Sequence, residues 1–166
     1  MMMREQMGVI RRHQEKAPVQ VAPIARELGL EVYRVSEWPD DLAGMIVRDE
    51  GAARSGYAIF VNAKHHEVRR RFTIAHEVAH FVLHRDLIGD GIEDDALYRS
   101  GLSSAVERQA NRLAADILMP RHLIEAVIGE GRAKADDVAG LARLFNVSKN
   151  AMSIQLLGAP YESLPA

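Results

Sequence analysis

The sequence predicts an α+β fold in which helices enclose a small three-stranded sheet. Apolar residues alternate with a period of two in three short segments between residues 31 and 62, and they return to helical spacing on both sides of that region. With 166 residues, 48% of them apolar, the chain can bury the core of one compact domain. We therefore expect residues 1–166 to form a single domain.

The elements follow in order along the chain. Helices are predicted over residues 3–16 and 19–28, and Gly29 follows the second helix at the position where a left-handed residue commonly ends one. Three strands are predicted next, over residues 31–35, 44–48 and 57–62, because their β-branched and aromatic residues recur at spacing two.

A long helix is predicted from about residue 67 to residue 84. Its apolar residues occupy more than one stripe, which is typical of a buried central helix. Residues 86–102 contain three glycines and an acidic run, so we expect a loop there. Helix resumes at residues 104–118, and further helices are predicted at 121–128, 136–145 and 148–157.

Composition excludes several classes of protein. The chain has no cysteine, so disulfide frameworks, thiol nucleophiles and thiolate metal sites are excluded. The formal net charge of −2 does not favour direct nucleic-acid binding. The charged N-terminus does not resemble a signal peptide, and no apolar run is long enough for a membrane helix. We expect a soluble, cytoplasmic protein without a membrane partner, and the sequence does not indicate its oligomeric state.

The motif that indicates chemistry is H-E-x-x-H, formed by His76, Glu77 and His80 inside the predicted central helix. Residues four apart lie on one helix face, so both imidazoles can bind one zinc ion. Glu77 is placed to accept a proton from the attacking water. By chance alone, a chain of this composition would contain the motif in about one case in fifty, before a buried helix is required.

A catalytic zinc site needs a third protein ligand. His84 lies about 12 Å along the helix axis from His76, which is too far for one ion. Glu107 is a candidate because it opens the next helix, but Ser104 and Glu107 also match a capping box, and spacing alone leaves both interpretations open. Asn111, one turn later, could contact a zinc-binding histidine, although an amide on the helix surface is the more usual explanation. The loop also offers acidic side chains, for which solvent exposure is the usual explanation: Asp86, Asp90, Glu93, Asp94 and Asp95.

Two blocks of sequence resemble the ImmA/IrrE metallo-endopeptidases. They are residues 71–84, RFTIAHEVAHFVLH, and residues 107–120, ERQANRLAADILMP, with weaker similarity at 57–62 and 144–152. The resemblance implies a zincin-like metallopeptidase fold, with Glu107 as the third zinc ligand. It also implies cleavage of a helix-turn-helix (XRE-type) transcriptional repressor, in the setting of a mobile element, a stress response or a toxin–antitoxin-like pair.

Two further site predictions concern the substrate. If the strand at residues 57–62 lay at the sheet edge, it could pair with an extended peptide, which would make Tyr57, Ile59 and Val61 substrate-strand residues. Ordinary sheet core is the alternative interpretation. Tyr98 is a candidate oxyanion donor, but a single loop tyrosine is weak support for that role.

Two alternatives to a peptidase remain. Residues 136–157 have the pattern of a helix-turn-helix, which allows a DNA-binding regulator, although the second helix carries only one basic residue, Lys149. Packing of these helices on the core is the favoured interpretation. The other alternative is a non-catalytic protein that acts by binding a repressor or toxin and keeps the metal only to stabilise its fold.

Overall fold

The computed structural model describes residues 1–51, 53–95, 102–131 and 133–161. The fold is α+β, as predicted. In chain order the elements are α1 (Met3–Arg12), α2 (Val21–Glu27), β1 (Glu31–Val35), β2 (Leu42–Arg48), β3 (Tyr57–Asn62), α3 (Glu67–Leu83), α4 (Arg85–Ile88), β4 (Gly91–Asp95), α5 (Ser104–Leu118), α6 (Arg121–Ile128), α7 (Asp137–Phe145) and α8 (Lys149–Leu157). All seven predicted helices are present, and α1 ends four residues earlier than the sequence suggested. Gly29 has a φ of 87°, which confirms its left-handed position after α2.

The sheet has the strand order β1-β3-β2-β4. β1 is parallel to β3, while β2 is antiparallel to both β3 and β4. The three predicted strands are confirmed, but the prediction of a loop throughout residues 86–102 was wrong. Its first part contains the short helix α4 and the edge strand β4. The sequence of β4, GIEDD, consists mainly of residues that strands disfavour. The segment is extended because it pairs with the edge of β2.

The proposed substrate strand is corrected by the sheet order. β3 is an interior strand with β1 on one side and β2 on the other, so its backbone has no free edge for a peptide. Tyr57, Ile59 and Val61 are all buried in the core. They therefore belong to the sheet core, which was the alternative interpretation.

Helix α3 is the centre of the molecule. Eleven of its 17 residues are buried, and it packs on β2, β3 and α5. The contact with β2 is very close at Gly44, where a Cβ atom would lie 2.4 Å from Cγ2 of Thr73. Glycine is therefore required at this crossing if helix and strand are to keep their separation.

The last two helices pack on the same core. Val138, Phe145 and Met152 are buried and belong to the main apolar cluster. Asn146 joins α7 to α8 with a φ of 54°. Arg71 of α3 donates hydrogen bonds to the carbonyl oxygens of Phe145 and Asn146, at 3.3 and 3.2 Å. Burial lowers the pKa of the Arg71 guanidinium from its ordinary value.

Over the described residues, no helix is both long enough and apolar enough to cross a membrane.

Candidate metal centre

Three buried side chains from α3 and α5 meet at one point. Nε2 of His76 lies 3.0 Å from Nε2 of His80. The Glu107 carboxylate completes the triangle, with Oε2 3.3 Å from His76 Nε2 and Oε1 3.2 Å from His80 Nε2. The exposed fractions of the three residues are 7%, 0% and 3%, so these donor atoms are grouped inside the protein.

These separations fit a metal ion. Ligand atoms about 2.0–2.1 Å from a tetrahedral ion lie about 3.3 Å from one another. Two imidazole nitrogens and one carboxylate oxygen form a donor set that catalytic zinc uses, with a further position left for water or substrate. Such nitrogen and oxygen donors also suit other first-row metals, so the geometry supports a metal site without selecting the element.

The Glu107 carboxylate lies at this cluster, and the start of α5 does not match the capping box that was the alternative interpretation of Glu107. The N-cap residue is Ser103, whose hydroxyl accepts a hydrogen bond from the amide of Val106 at 3.3 Å. A capping box beginning at Ser104 would need that residue at the N-cap, whereas Ser104 is the first residue of the helix. The helix start is thus capped without Glu107 in that role.

Asn111 lies where it can orient His76. Its Oδ1 is 2.8 Å from Nδ1 of His76. An amide oxygen only accepts hydrogen bonds, so this contact holds the imidazole proton on Nδ1. The lone pair of the neutral ring is then on Nε2, which faces His80 and Glu107. This contact is what a residue that supports a metal ligand would make, rather than an amide on the helix surface.

His80 is oriented by a longer chain of contacts. Oε1 of Gln109 lies 2.8 Å from Nε2 of His84, and Nδ1 of His84 lies 3.1 Å from Nδ1 of His80. If Gln109 accepts from His84, the neutral His84 ring accepts from His80 at Nδ1. His80 then also presents its lone pair at Nε2. Both histidines of the motif are therefore held in the same tautomer, with Nε2 available to an ion.

The part played by His84 and Gln109 was missed from the sequence. From the sequence, His84 enters only as a possible ligand that lies too far from His76. Its position four residues after His80 places it one turn away on the same face, which was the available signal. Gln109 belongs to α5, and its approach to His84 depends on the packing of two helices.

Glu77 lies between the helix and the sheet. It is fully buried, and its Oε1 is 3.4 Å from the position that a Cβ atom at Gly44 would occupy. A larger residue at that position of β2 would press on Thr73 and approach the Glu77 carboxylate. The glycine therefore leaves room for Glu77 beside the two histidines.

A cleft of about 1050 Å³ reaches this centre from the surface, with His76 and Asn111 in its wall. Helices α3, α5, α6 and α8 contribute most of its lining. The other lining residues are Ala43, Val68, Arg69, Phe72, Thr73, Arg108, Arg112, Ala115, Asp116, Arg121, Ser148, Ala151, Ile154 and Gln155.

Two of the remaining candidates, Asp86 and Asp90, lie away from the cluster. Asp86 and Asp90 are exposed, in α4 and just before β4. Glu93, Asp94 and Asp95 belong to β4, and the structure describes only their backbone. Tyr98 lies outside the described residues.

Known proteins support the same fold. A transcriptional regulator from Mycobacterium tuberculosis has a similar structure, with a TM-score of 0.57 and 20% sequence identity. The match covers 90% of this chain and 45% of that protein's chain, so the present chain corresponds to less than half of its length. At this identity the likeness concerns the fold alone. No match was found among curated proteins.

The family is shown by the sequence itself. The pattern of Peptidase_M78, described as the IrrE N-terminal-like domain, matches residues 25–157 and thus most of the chain. This range includes the three residues of the metal centre and both blocks that resemble ImmA/IrrE proteins. The expected resemblance is confirmed: the chain belongs to the Peptidase_M78 family, a family of metallopeptidase type with an IrrE N-terminal-like domain.

Proposed function

We propose that the protein is a zinc-dependent endopeptidase of the cytoplasm. The observation that carries this proposal is the triangle formed by His76, His80 and Glu107, whose donor atoms are 3.0–3.3 Å apart and buried. A neighbouring buried carboxylate, Glu77, and a cleft that reaches His76 add a proton acceptor and a route for substrate. Family membership supports the same class of reaction.

The three ligands would hold zinc through His76 Nε2, His80 Nε2 and the Glu107 carboxylate. When bound, zinc supplies Lewis acidity, which makes water nucleophilic near neutral pH and polarises the scissile carbonyl. Asn111 and His84 keep the two imidazoles in the tautomer that the ligand role requires. Glu77 accepts a proton from the attacking water at a carboxylate oxygen and passes it to the departing amine.

The proposed substrate is a helix-turn-helix transcriptional repressor. This part of the proposal is supported by the ImmA/IrrE resemblance and by family membership, and the chain's own composition does not indicate it. Direct DNA binding by α7 and α8 is less well supported, because Val138, Phe145 and Met152 pack in the core and α8 carries only Lys149 as a basic residue.

The test begins with zinc content, measured by elemental mass spectrometry after zinc addition and dialysis. The zinc-loaded protein is then incubated with the helix-turn-helix repressor encoded nearest to its gene, and with a peptide library from a digested bacterial proteome. Mass spectrometry of new termini identifies cleavage. We expect about one zinc per chain and a restricted set of cleaved bonds.

The matched control is Glu77→Gln, which keeps the size of the side chain and leaves all three ligands in place. It should bind zinc as the wild type does and produce no new termini. Cleavage by this variant would remove Glu77 from the mechanism. Full zinc occupancy with no cleavage by the wild type would instead favour the non-catalytic binding protein.

A further inference from the structure

The cleft beside the metal centre has a positively charged rim. Arg69 of α3, together with Arg108 and Arg112 of α5, lines the cleft and is exposed. Arg121 adds a fourth guanidinium, whereas Asp116 is the one acidic residue among the lining residues described. The whole chain has a formal net charge of −2, so this local excess of positive charge runs against the overall balance.

Three of the four rim arginines lack an ion pair that would tie them to the fold, over the residues that the structure describes. Within the described part of the chain, Arg69, Arg108 and Arg112 form no ion pair with a carboxylate, whereas Arg121 lies 3.7 Å from Glu125. Arg108 and Arg112 are four residues apart on α5, where like charges face each other and weaken the helix. Like charges at this spacing, without an ion pair to any carboxylate that the structure describes, favour an external ligand of opposite charge.

Apolar side chains lie between the charges. Phe72 and Ala115 are partly buried, and both line the cleft. On the facing helix α8, Ile154 is 53% exposed although it is a large aliphatic residue. The Asp116 carboxylate, the one negative group among the described lining residues, accepts a hydrogen bond from Gln155 at 2.9 Å and so already has a partner within the protein. The lining thus suits a chain that combines apolar side chains with carboxylates.

We propose that this cleft binds the substrate polypeptide and selects a segment in which acidic residues flank apolar ones. Arg108 and Arg112 are the specificity-determining residues, since they are neighbours on α5 and lie one residue and five residues after the metal ligand Glu107. Arg69 extends the charged rim from the metal helix. This inference rests on the proposed peptidase function, because it names the substrate class of the same site.

The experiment measures binding without turnover. Three fluorescein-labelled peptides of equal length share a central apolar sequence and carry flanking Glu, Gln or Lys residues. Fluorescence anisotropy gives the Kd of each for zinc-loaded Glu77→Gln protein. We expect the Glu peptide to bind about tenfold more tightly than the Gln peptide at about 50 mM NaCl. The difference should nearly vanish at about 1 M NaCl, where the Debye length is about 3 Å.

Variants then locate the effect. Arg108→Gln with Arg112→Gln should remove the preference for the Glu peptide, while Arg108→Lys with Arg112→Lys should keep most of it. The matched control is Arg4→Gln with Arg11→Gln, which removes the same charge from exposed positions on α1, away from the cleft. This control should bind the Glu peptide as the parent does. Zinc content is measured for every variant, so that weaker peptide binding caused by loss of the metal is not mistaken for an effect of the lost positive charge.

Three outcomes would overturn the inference. The first is equal affinity for the Glu, Gln and Lys peptides, and the second is an equal loss in the α1 control. The third is tighter binding of a single-stranded DNA oligonucleotide of similar length with the same dependence on Arg108 and Arg112, which would assign the rim to nucleic acid.

The peptidase proposal and the acidic preference can be refuted independently of each other. If the wild type cleaves acidic and basic peptides with equal kcat/KM, the peptidase function stands and the acidic preference is wrong. If the acidic peptide binds through Arg108 and Arg112 but zinc-loaded wild type cleaves nothing, the cleft assignment stands and hydrolysis is wrong.

Discussion

The Nδ1 atoms of His80 and His84 lie 3.1 Å apart, one helical turn from each other on α3. His84 is held in turn by Gln109, whose Oε1 lies 2.8 Å from its Nε2. If Gln109 accepts from His84, this glutamine on α5 sets, through one intermediate ring, which nitrogen of His80 carries a proton. The consequence can be measured as metal affinity.

Replacing His84 with alanine should weaken zinc binding by about 10–100-fold, because His80 loses the contact that fixes its tautomer and ring orientation. Competition with a chromophoric chelator measures the affinity. His66→Asn is the control, since it changes an exposed histidine at the other end of the same helix and keeps a capping side chain. Unchanged affinity in His84→Ala would contradict the proposed role of His84.

Asn111 should act in the same way on His76. Asn111→Leu removes the acceptor from His76 Nδ1 and should lower zinc affinity by about 10–100-fold. Asn111→Asp keeps an oxygen acceptor and should retain affinity within several-fold of the wild type. Equal losses in both variants would show that the oxygen acceptor at this position does not explain the effect of Asn111 on zinc affinity.

Zinc should also stabilise the folded chain, because its ligands come from two helices that meet only in the native state. At a free zinc concentration of about 100 times the Kd, binding adds about 2.7 kcal/mol to the free energy of unfolding. For a chain of this size, that corresponds to a rise in Tm of roughly 5–11 °C. Differential scanning calorimetry with and without chelator measures the shift, and His80→Ala should abolish it.

Gly44→Ala should destabilise the protein by about 1–3 kcal/mol, because the new methyl group would lie 2.4 Å from Thr73 Cγ2. Urea denaturation gives the free energy of unfolding. Adding Thr73→Ser removes that Cγ2 atom and should recover part of the loss as a coupling of about 1 kcal/mol. Gly140→Ala on α7 meets no atom within 4 Å and should change stability in the opposite direction, by about 0.5–1 kcal/mol. Equal effects at both glycines would refute the steric explanation.

Glu27 gives a prediction for pH. Hydrogen bonds from Arg12 and then from His13 lower the pKa of this carboxyl below its ordinary value, and they join α1 to the end of α2. A carboxyl with a lowered folded-state pKa contributes stability above its unfolded pKa of about 4.3 and loses it as the pH falls through the folded value. The stability difference between wild type and Glu27→Gln should therefore be largest above about pH 5 and disappear in acid. Urea midpoints at several pH values measure it, and a difference that grows on acidification would contradict the assignment.

Local sequence pattern predicted the helices and three strands well, because spacing of apolar residues and capping signals are properties of neighbouring residues. The fourth strand was missed because its glycine and acidic residues carry no strand pattern, and its pairing is supplied by β2. The interior position of β3 was also not predictable, since strand order depends on contacts between distant segments. For that reason the sequence alone leaves Tyr57, Ile59 and Val61 open between a substrate strand and ordinary sheet core.

In the candidate site too, the sequence predicted the residues of one helix and missed the contacts between helices. The H-E-x-x-H motif placed His76, Glu77 and His80 on one helix, and the resemblance supplied Glu107. The contacts of His84 and Gln109 arise where α3 packs on α5, so no spacing within one segment predicts them. The charged rim of the cleft could not be predicted from the sequence either. Its arginines come from three helices, and the total charge of the chain is nearly balanced.

Helix α8 forms a wall of the cleft that contains none of the residues proposed for catalysis. The residues proposed to bind zinc and move protons lie on α3 and α5, whereas Ser148, Ala151 and Ile154 face the cleft from the C-terminal part of the chain and bind no metal. Substitutions along that one helix would alter which polypeptide fits while the reactive groups stay unchanged. The shape of the cleft can thus be changed from α8, apart from the charge preference that Arg108 and Arg112 of α5 are proposed to supply.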